Sequence, residues 1–529
     1  MDHGSIKIRY FKMDLSSLLS SLPLPQPLSP AQPVTTLLSS LSALIDSCPD
    51  SALLSVVSKV EQLLSSADCD WLLSSTTHSV ASEQEVELGY LLLSRALIGR
   101  CSLPLADDDI SSVAESQYDA IRPRVEAVSH TLVTLLRILG KSRAEGGAEC
   151  EGVGLSERIL FTVAPDICVF AVTHFQMAPW SSPSSRSAAQ DVMGALLESG
   201  PWTDSAHLLV GDRKHKEDRQ KGGAKGILGP ILDLLQPQLS KESLFHSESV
   251  KLVFSWALLQ VTRPDLSQHL PRLLPPALLL TDHYRPENCI LGVRCLHHIV
   301  LQMACADLRQ LNRAEVLYQA VFRLLYNGQP QVTQCILAFL MDLLLVLEKP
   351  PSSPCSSRSR RAASRHDDVL RLVLTQMEAE HKLALRRVYA SALPLLVDRF
   401  GIAVCRHLRR LERVILGYLE LSDPPDETSR IQILLTLNRT LQTAWPRVDQ
   451  RRGLQFLRAV LRLLIDVSSD SNLKDSVKQE IFNQSATSIR LLDACSSGTL
   501  QCLLLQVGSS HCSPDVLQIL HSAMTKTQT

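Results

Sequence analysis

From Val253 to Val300 the chain reads VFSWALLQVTRPDLSQHLPRLLPPALLLTDHYRPENCILGVRCLHHIV. Its leucines recur at helical spacing and nothing alternates as a strand would. The pattern predicts helix, turn, helix, turn, helix. Pro264 and Pro271 make the first break, Pro275 and Pro276 fall near the start of the next helix, and Thr281-Asp282-His283-Tyr284 ends it. Helices this apolar, joined by short polar turns, cannot bury their surfaces alone and must stack on neighbours.

The same pattern recurs. Polar turns centre on Asp282, Asn327, Glu380, Asp423 and Asp470, at intervals of 45, 53, 43 and 47 residues, and the long interval holds a polar insertion at 349–368. Two helices per period in the forties predict an all-α solenoid of HEAT- or armadillo-like repeats. In the turn LELSDPPDETSRIQ, Asp423 is placed to bond Arg430 of the following helix, the usual use of an aspartate in such turns. Amphipathic patterns also run over Thr36–Leu73, Glu83–Ile98 and Ile121–Leu139.

These patterns divide the chain into a Ser/Pro-rich arm expected to be disordered (1–35), an N-terminal helical region (36–140) and a glycine-rich linker (141–154). Helical repeats with a basic loop at 211–226 follow (155–349), then a disordered insertion (349–368), C-terminal repeats (369–507) and a tail (508–529).

Composition agrees with helix-on-helix packing: 45% of residues are hydrophobic, mainly aliphatic, and only 5% are aromatic. A sandwich or barrel would call for more β-branched and aromatic residues. The net charge of -1 gives no global attraction to nucleic acid or membrane. Fourteen cysteines stand singly with no C-x-x-C, which points to reduced thiols. The apolar run Ile336–Leu347 is interrupted by Asp342 and is short for a membrane span, and no secretory signal is read at the N-terminus.

Catalytic chemistry is sparse. Gly140-Lys141-Ser142 ends like a phosphate loop, but Leu135 stands where its first glycine is needed. GGAKG at 222–226 fails the same test. There is no G-x-S-x-G or H-E-x-x-H, and His246-x-Glu248 lacks a later P-C-x-x-C. Cys289, Cys295, His297 and His298 offer too few ligands at matching intervals for a metal and read as packed core. No cofactor or metal is expected, and the chain reads as a non-enzyme.

Charge concentrates in one place. On the helix from His407, the residues Leu408, Leu411, Ile415, Tyr418 and Leu419 share one side while Arg406, Arg409, Arg410 and Arg413 share the other. Lys382, Arg386 and Arg387 add to this face. It could dock an acidic protein surface or contact nucleic-acid phosphates, but no aromatics interleave to stack bases. Trp180, Trp202, Trp256 and Trp445 all read as core, and Trp445, before Pro446 at a helix end, is the candidate to test at an interface. Ser364, after Arg360-Arg361-Ala362-Ala363, has the look of a basophilic kinase site.

VFSWALLQVTRPDLSQHL, ENCILGVRCLHHIV, DDVLRLVLTQMEAEHKLALRRVYA from Asp367, HLRRLERVILGYLE from His407 and TAWPRV from Thr443 carry a resemblance. Together they resemble the Tel-two-interacting protein family, in its second branch, the Tti-two subunits of the TTT (triple-T) co-chaperone complex. The resemblance runs from about Val253 to Val448, with an echo at APDICVFAVTHFQMAPW from Ala164 and nothing before Leu155. It implies a scaffold that joins the Tel-two and Tti-one subunits. With the ninety-kilodalton heat-shock chaperone and its adaptor, such a complex matures phosphatidylinositol-3-kinase-related kinases, in cytoplasm and nucleus, with effects on DNA-damage, telomere and growth signalling. Repeats 370–507 are the expected interface. The alternative is a nucleic-acid-associated repeat protein using 382–413; no membrane partner is expected.

Overall fold

The computed structural model describes residue 22 and residues 33–73, 80–105, 114–145, 154–212, 225–353, 362–496, 499–504, 507 and 512–525. The body of the Ser/Pro-rich arm and the centres of the expected linker, basic loop and insertion lie outside these residues. The described chain is all-α. Its β-structure is a single bridge between Gly211 and Lys225.

Two compact units divide it, residues 1–276 and 277–529. The first contains α1 (Val34–Ser47), α2 (Asp50–Ser66), α3 (Val80–Gly99), α4 (Ile121–Glu145), α5 (Leu155–Phe175), α6 (Pro183–Ser199), α7 (Leu228–Leu235) and α8 (Glu248–Gln260). Helices two apart in sequence are neighbours in space: α1 packs on α3 and α3 on α5 in one layer, α2 on α4 and α4 on α6 in the other. The stripe Leu37, Leu38, Leu41, Leu44 and Ile45 of α1 is buried, as its three- and four-residue spacing requires. The single pattern expected over Thr36–Leu73 is two main helices, because Pro49 cannot continue α1 and instead precedes the start of α2.

Gly140-Lys141-Ser142 lies inside α4, which runs on to Glu145 and takes the first residues of the expected linker. A Cβ at Gly140 would sit 2.9 Å from Ser199 Cα, so this glycine lets α4 close on α6. The glycine of the apparent phosphate loop is a packing residue.

Helix α9 (Leu266–Thr281) spans the division between the units and runs unbroken through Pro271, Pro275 and Pro276. The break expected at Pro271 does not occur, and Pro275 and Pro276, expected near the start of a new helix, lie in the second half of this one. Pro271, Pro275 and Pro276 line an open groove of about 260 Å³ with Leu232 and Arg272.

The second unit continues with α10 (Pro286–Gln302), α11 (Arg313–Phe322), α12 (Pro330–Leu347), α13 (Arg365–Ala379), α14 (Leu383–Phe400), α15 (Leu408–Glu420), α16 (Thr428–Ala444), α17 (Gln450–Ser469), α18 (Asp475–Cys495) and α19 (Pro514–Thr525). Helices α10, α12, α14, α16 and α18 pack in succession as one layer, and α13, α15 and α17 as the other. This is the arrangement of HEAT-like helix pairs, and the turns at Glu380, Asp423 and Asp470 all lie at one edge of the stack. By length and composition α12 and the segment Leu383–Arg406 could each cross a membrane. In α12 that apolarity is used on α10, α11 and α14. Helix α13 starts at Arg365, inside the segment expected to be disordered, because Ser364 and Asp367 close a capping box at its N-terminus.

Candidate protein interface

The turn after α15 is built from buried charge, with Asp423, Glu427 and Arg430 all buried. Arg387 of α14 holds Asp423, with Nη2 2.6 Å from Oδ1, and it also donates to the Pro424 carbonyl at 2.9 Å. The second carboxylate oxygen of Asp423 accepts the Ser429 N–H at 2.8 Å. Glu427 accepts the Asp423 N–H at 3.0 Å, and its burial raises its carboxyl pKa. Arg430 lies 3.5 Å from Glu427 and 3.6 Å from Asp466, and donates to the Glu420 carbonyl. The expected pair of Asp423 with Arg430 is therefore replaced. Asp423 is taken by an arginine from the preceding repeat, and Arg430 by the acid three residues before it. Sequence spacing within one turn could not reveal a partner 36 residues away.

Arg386 is buried, with its guanidinium 3.7 Å above the Tyr418 ring, and so does not belong to an exposed face. Its burial follows from the packing of α14 on α16 and of the Arg386 side chain on Tyr418 of α15.

The arginine side of α15 is largely engaged with the neighbouring helix. Arg410 reaches Glu378 of α13 at 3.0 Å and Thr375 Oγ1 at 2.8 Å, and Arg413 reaches Glu378 at 2.9 Å. The hydrogen bond and charge of Arg410, joined by Arg413, hold the Glu378 carboxyl below its usual pKa. Arg406 precedes α15 and donates to the Ala362 carbonyl at 3.3 Å, with Asp367 at 3.7 Å. On the other flank, Glu412 and Glu420 take Arg452 at 3.0 Å and Arg462 at 3.3 Å from α17. The layer is stitched by ion pairs, and of the four arginines only Arg409 makes no ion pair among the described residues.

Trp180 and Trp202 are buried and Trp256 is half-buried, but Trp445, also read as core, is 60% exposed, because it follows the last residue of α16 and begins the turn before α17. Cys295 is buried and its thiol pushed up to about 12 by desolvation, while His297 meets Asp342 at 2.9 Å. Among the described residues no three His, Cys, Asp or Glu side chains are grouped to hold a metal. Ser364 is half-buried, and its hydroxyl lies 3.0 Å from Asp367 Oδ2. Three arginines that the sequence reading passed over, Arg447, Arg451 and Arg458, stand exposed around α17. Their signal was the seven-residue interval from Arg451 to Arg458, one stripe of an amphipathic helix.

The model of the Tti2 family matches residues 247–424. The chain is 45% identical to human (Homo sapiens) TELO2-interacting protein 2 over 402 residues, 76% of each chain, and 41% identical to the mouse (Mus musculus) protein over 377 residues, 71% of each. A match over 76% of the chain cannot fit between Leu155 and the C-terminus, so the kinship reaches into the N-terminal region, where no familiar block was read. A solved structure of importin beta is similar with a TM-score of 0.44 at 10% identity, over 98% of this chain and 70% of that one. Identity at this level over most of both chains leaves one conclusion: the chain belongs to the Tti2 family.

Proposed function

We propose that this chain is a non-catalytic scaffold subunit of a TTT co-chaperone complex, binding the Tel-two and Tti-one subunits and, with the heat-shock chaperone machinery, supporting phosphatidylinositol-3-kinase-related kinases in cytoplasm and nucleus. The observation that carries this reading is the 45% identity to a protein named for interaction with TELO2. Stacked helix pairs suit the role, because successive pairs build an extended face on which a partner can bind. A subunit bound in this way stabilises its partner by linkage, since it binds the folded form alone. The alternative, nucleic-acid binding through 382–413, loses support because Arg386, Arg387, Arg410 and Arg413 already have partners within the chain.

The test is affinity capture of the tagged full chain from cell lysate, with mass spectrometry after a moderate-salt wash. Recovery of the Tel-two and Tti-one subunits in near-equal amounts, with kinases of the named family, is the expected result. Recovery of neither overturns the reading.

A further inference from the structure

We propose that the turn before α17 and the first half of that helix, residues 445–458, dock an acidic peptide segment of a partner protein. Its carboxylates would lie on Arg447, Arg451 and Arg458, and an apolar side chain beside Trp445 and Leu454. The inference rests on the scaffold reading and names the chemistry that one of its surfaces selects.

Helix α17 divides its arginines into two sets. Arg452 and Arg462 face α15, where Glu412 and Glu420 neutralise them. Arg447, Arg451 and Arg458 are exposed and make no ion pair among the described residues. The one acid in this stretch, Asp449, caps α17 by accepting the Arg452 N–H at 2.9 Å and points its second oxygen to the Arg452 side chain at 3.5 Å. A local charge of three therefore stands without a counter-charge on a chain whose net charge is -1.

The geometry suits an extended or helical acidic segment. Arg451 and Arg458 are two turns apart, about 10 Å along the helix. Gln450, Arg451, Leu454, Gln455 and Arg458 line a shallow groove of about 360 Å³. In the turn that leads into this helix, Trp445 is 60% exposed. Tryptophan and arginine are among the residue types most enriched in interface hot spots, and arginine forks match carboxylates. Nucleic acid fits less well, because one tryptophan makes no stacking platform for successive bases.

The test measures anisotropy of a short fluorescein-labelled peptide of alternating glutamate and leucine titrated with the full chain. The comparison probes are the lysine-leucine peptide and an oligothymidylate. Wild type is expected to bind the glutamate peptide saturably. Arg451→Glu with Arg458→Glu should weaken it at least about tenfold and favour the lysine peptide instead. Trp445→Ala should weaken binding, and Arg462→Glu should leave it unchanged. If the double reversal perturbs folding, judged by thermal melting, Arg451→Gln and Arg458→Gln singly must show the same ordering. Absence of saturable binding, retention by the variants, or stronger capture of oligothymidylate overturns the inference. If wild type and double variant recover the Tel-two and Tti-one subunits alike and no peptide binds, the docking site falls while the scaffold reading stands. Peptide binding without subunit recovery does the reverse.

Discussion

Arg387 and Asp423 join two successive repeats: the guanidinium of α14 places Nη2 2.6 Å and Nε 2.7 Å from one carboxylate oxygen in the turn before α16. Asp423 is 1% exposed and its other oxygen holds the Ser429 N–H. The pair fixes where α16 begins relative to α14, so its effect is on repeat stacking. Asp423→Ala should lower unfolding free energy by about 3 kcal/mol, because it strands the Ser429 donor and Arg387 together. Arg430→Met should lower it less, since its carboxylates lie at 3.5 and 3.6 Å. Denaturant titration of both variants decides this. Equal losses would mean that Asp423 is not the organising residue of the turn.

Arg386 stacks on Tyr418 away from solvent. Burial also pushes the Tyr418 hydroxyl pKa up, which keeps that ring neutral beneath the cation. Arg386→Lys keeps the charge and loses the planar stack, for an expected loss of about 1 to 2 kcal/mol. Capture of partner subunits per folded molecule should not change. Reduced capture with unchanged stability would return Arg386 to the interface.

The helical register was legible because it depends on local periodicity: the six apolar residues Leu408, Leu411, Val414, Ile415, Tyr418 and Leu419 of α15 are all buried. The turn positions were legible for the same reason. Charge partners were not. Glu378 meets Arg410 and Arg413 from 32 and 35 residues away, and Arg387 meets Asp423 from 36, separations set by the repeat length and not by any helix face. A stripe of arginines therefore looked like free surface in sequence, although Glu378, the counter-charge of Arg410 and Arg413, sits on α13, the earlier helix packed beside α15. The uninterrupted course of α9 through three prolines was hidden as well, because tolerance of the lost N–H donors depends on what lies opposite.

Gly292 sits where α10 crosses the end of α9 within the second unit. A Cβ there would fall 2.3 Å from the Thr281 nitrogen and 2.7 Å from the Leu280 carbonyl carbon, both backbone atoms that cannot rotate away. Gly292→Ala should destabilise by about 2 to 3 kcal/mol despite the better helix propensity of alanine. Gly453→Ala, with open space around its Cβ, should be neutral or stabilising. Thermal melting of the two variants side by side checks the contrast. A neutral Gly292→Ala would mean that α9 and α10 do not approach this closely.

Asp367 gives the fold an acid limit. Burial alone would raise its carboxyl pKa, but His407 at 2.8 Å and the backbone and hydroxyl of Ser364 outweigh that and hold it below the usual value. A depressed folded pKa means that the native state favours the ionised form. Its contribution is complete above the unfolded value, near pH 4, and is lost as pH falls through the folded value. Asp367→Asn should therefore lower stability at neutral pH by about 1 to 2 kcal/mol, and the gap to wild type should narrow as pH falls below the unfolded value of about 4. Glu378→Gln should behave alike with a smaller amplitude, because its partners Arg410 and Arg413 are more solvent-screened. Denaturant titrations of the wild type and both variants at neutral and acid pH provide the measurement. A gap that widens toward acid would show that Asp367 is protonated in the folded chain and that the clasp at the start of α13 is held by its neutral form.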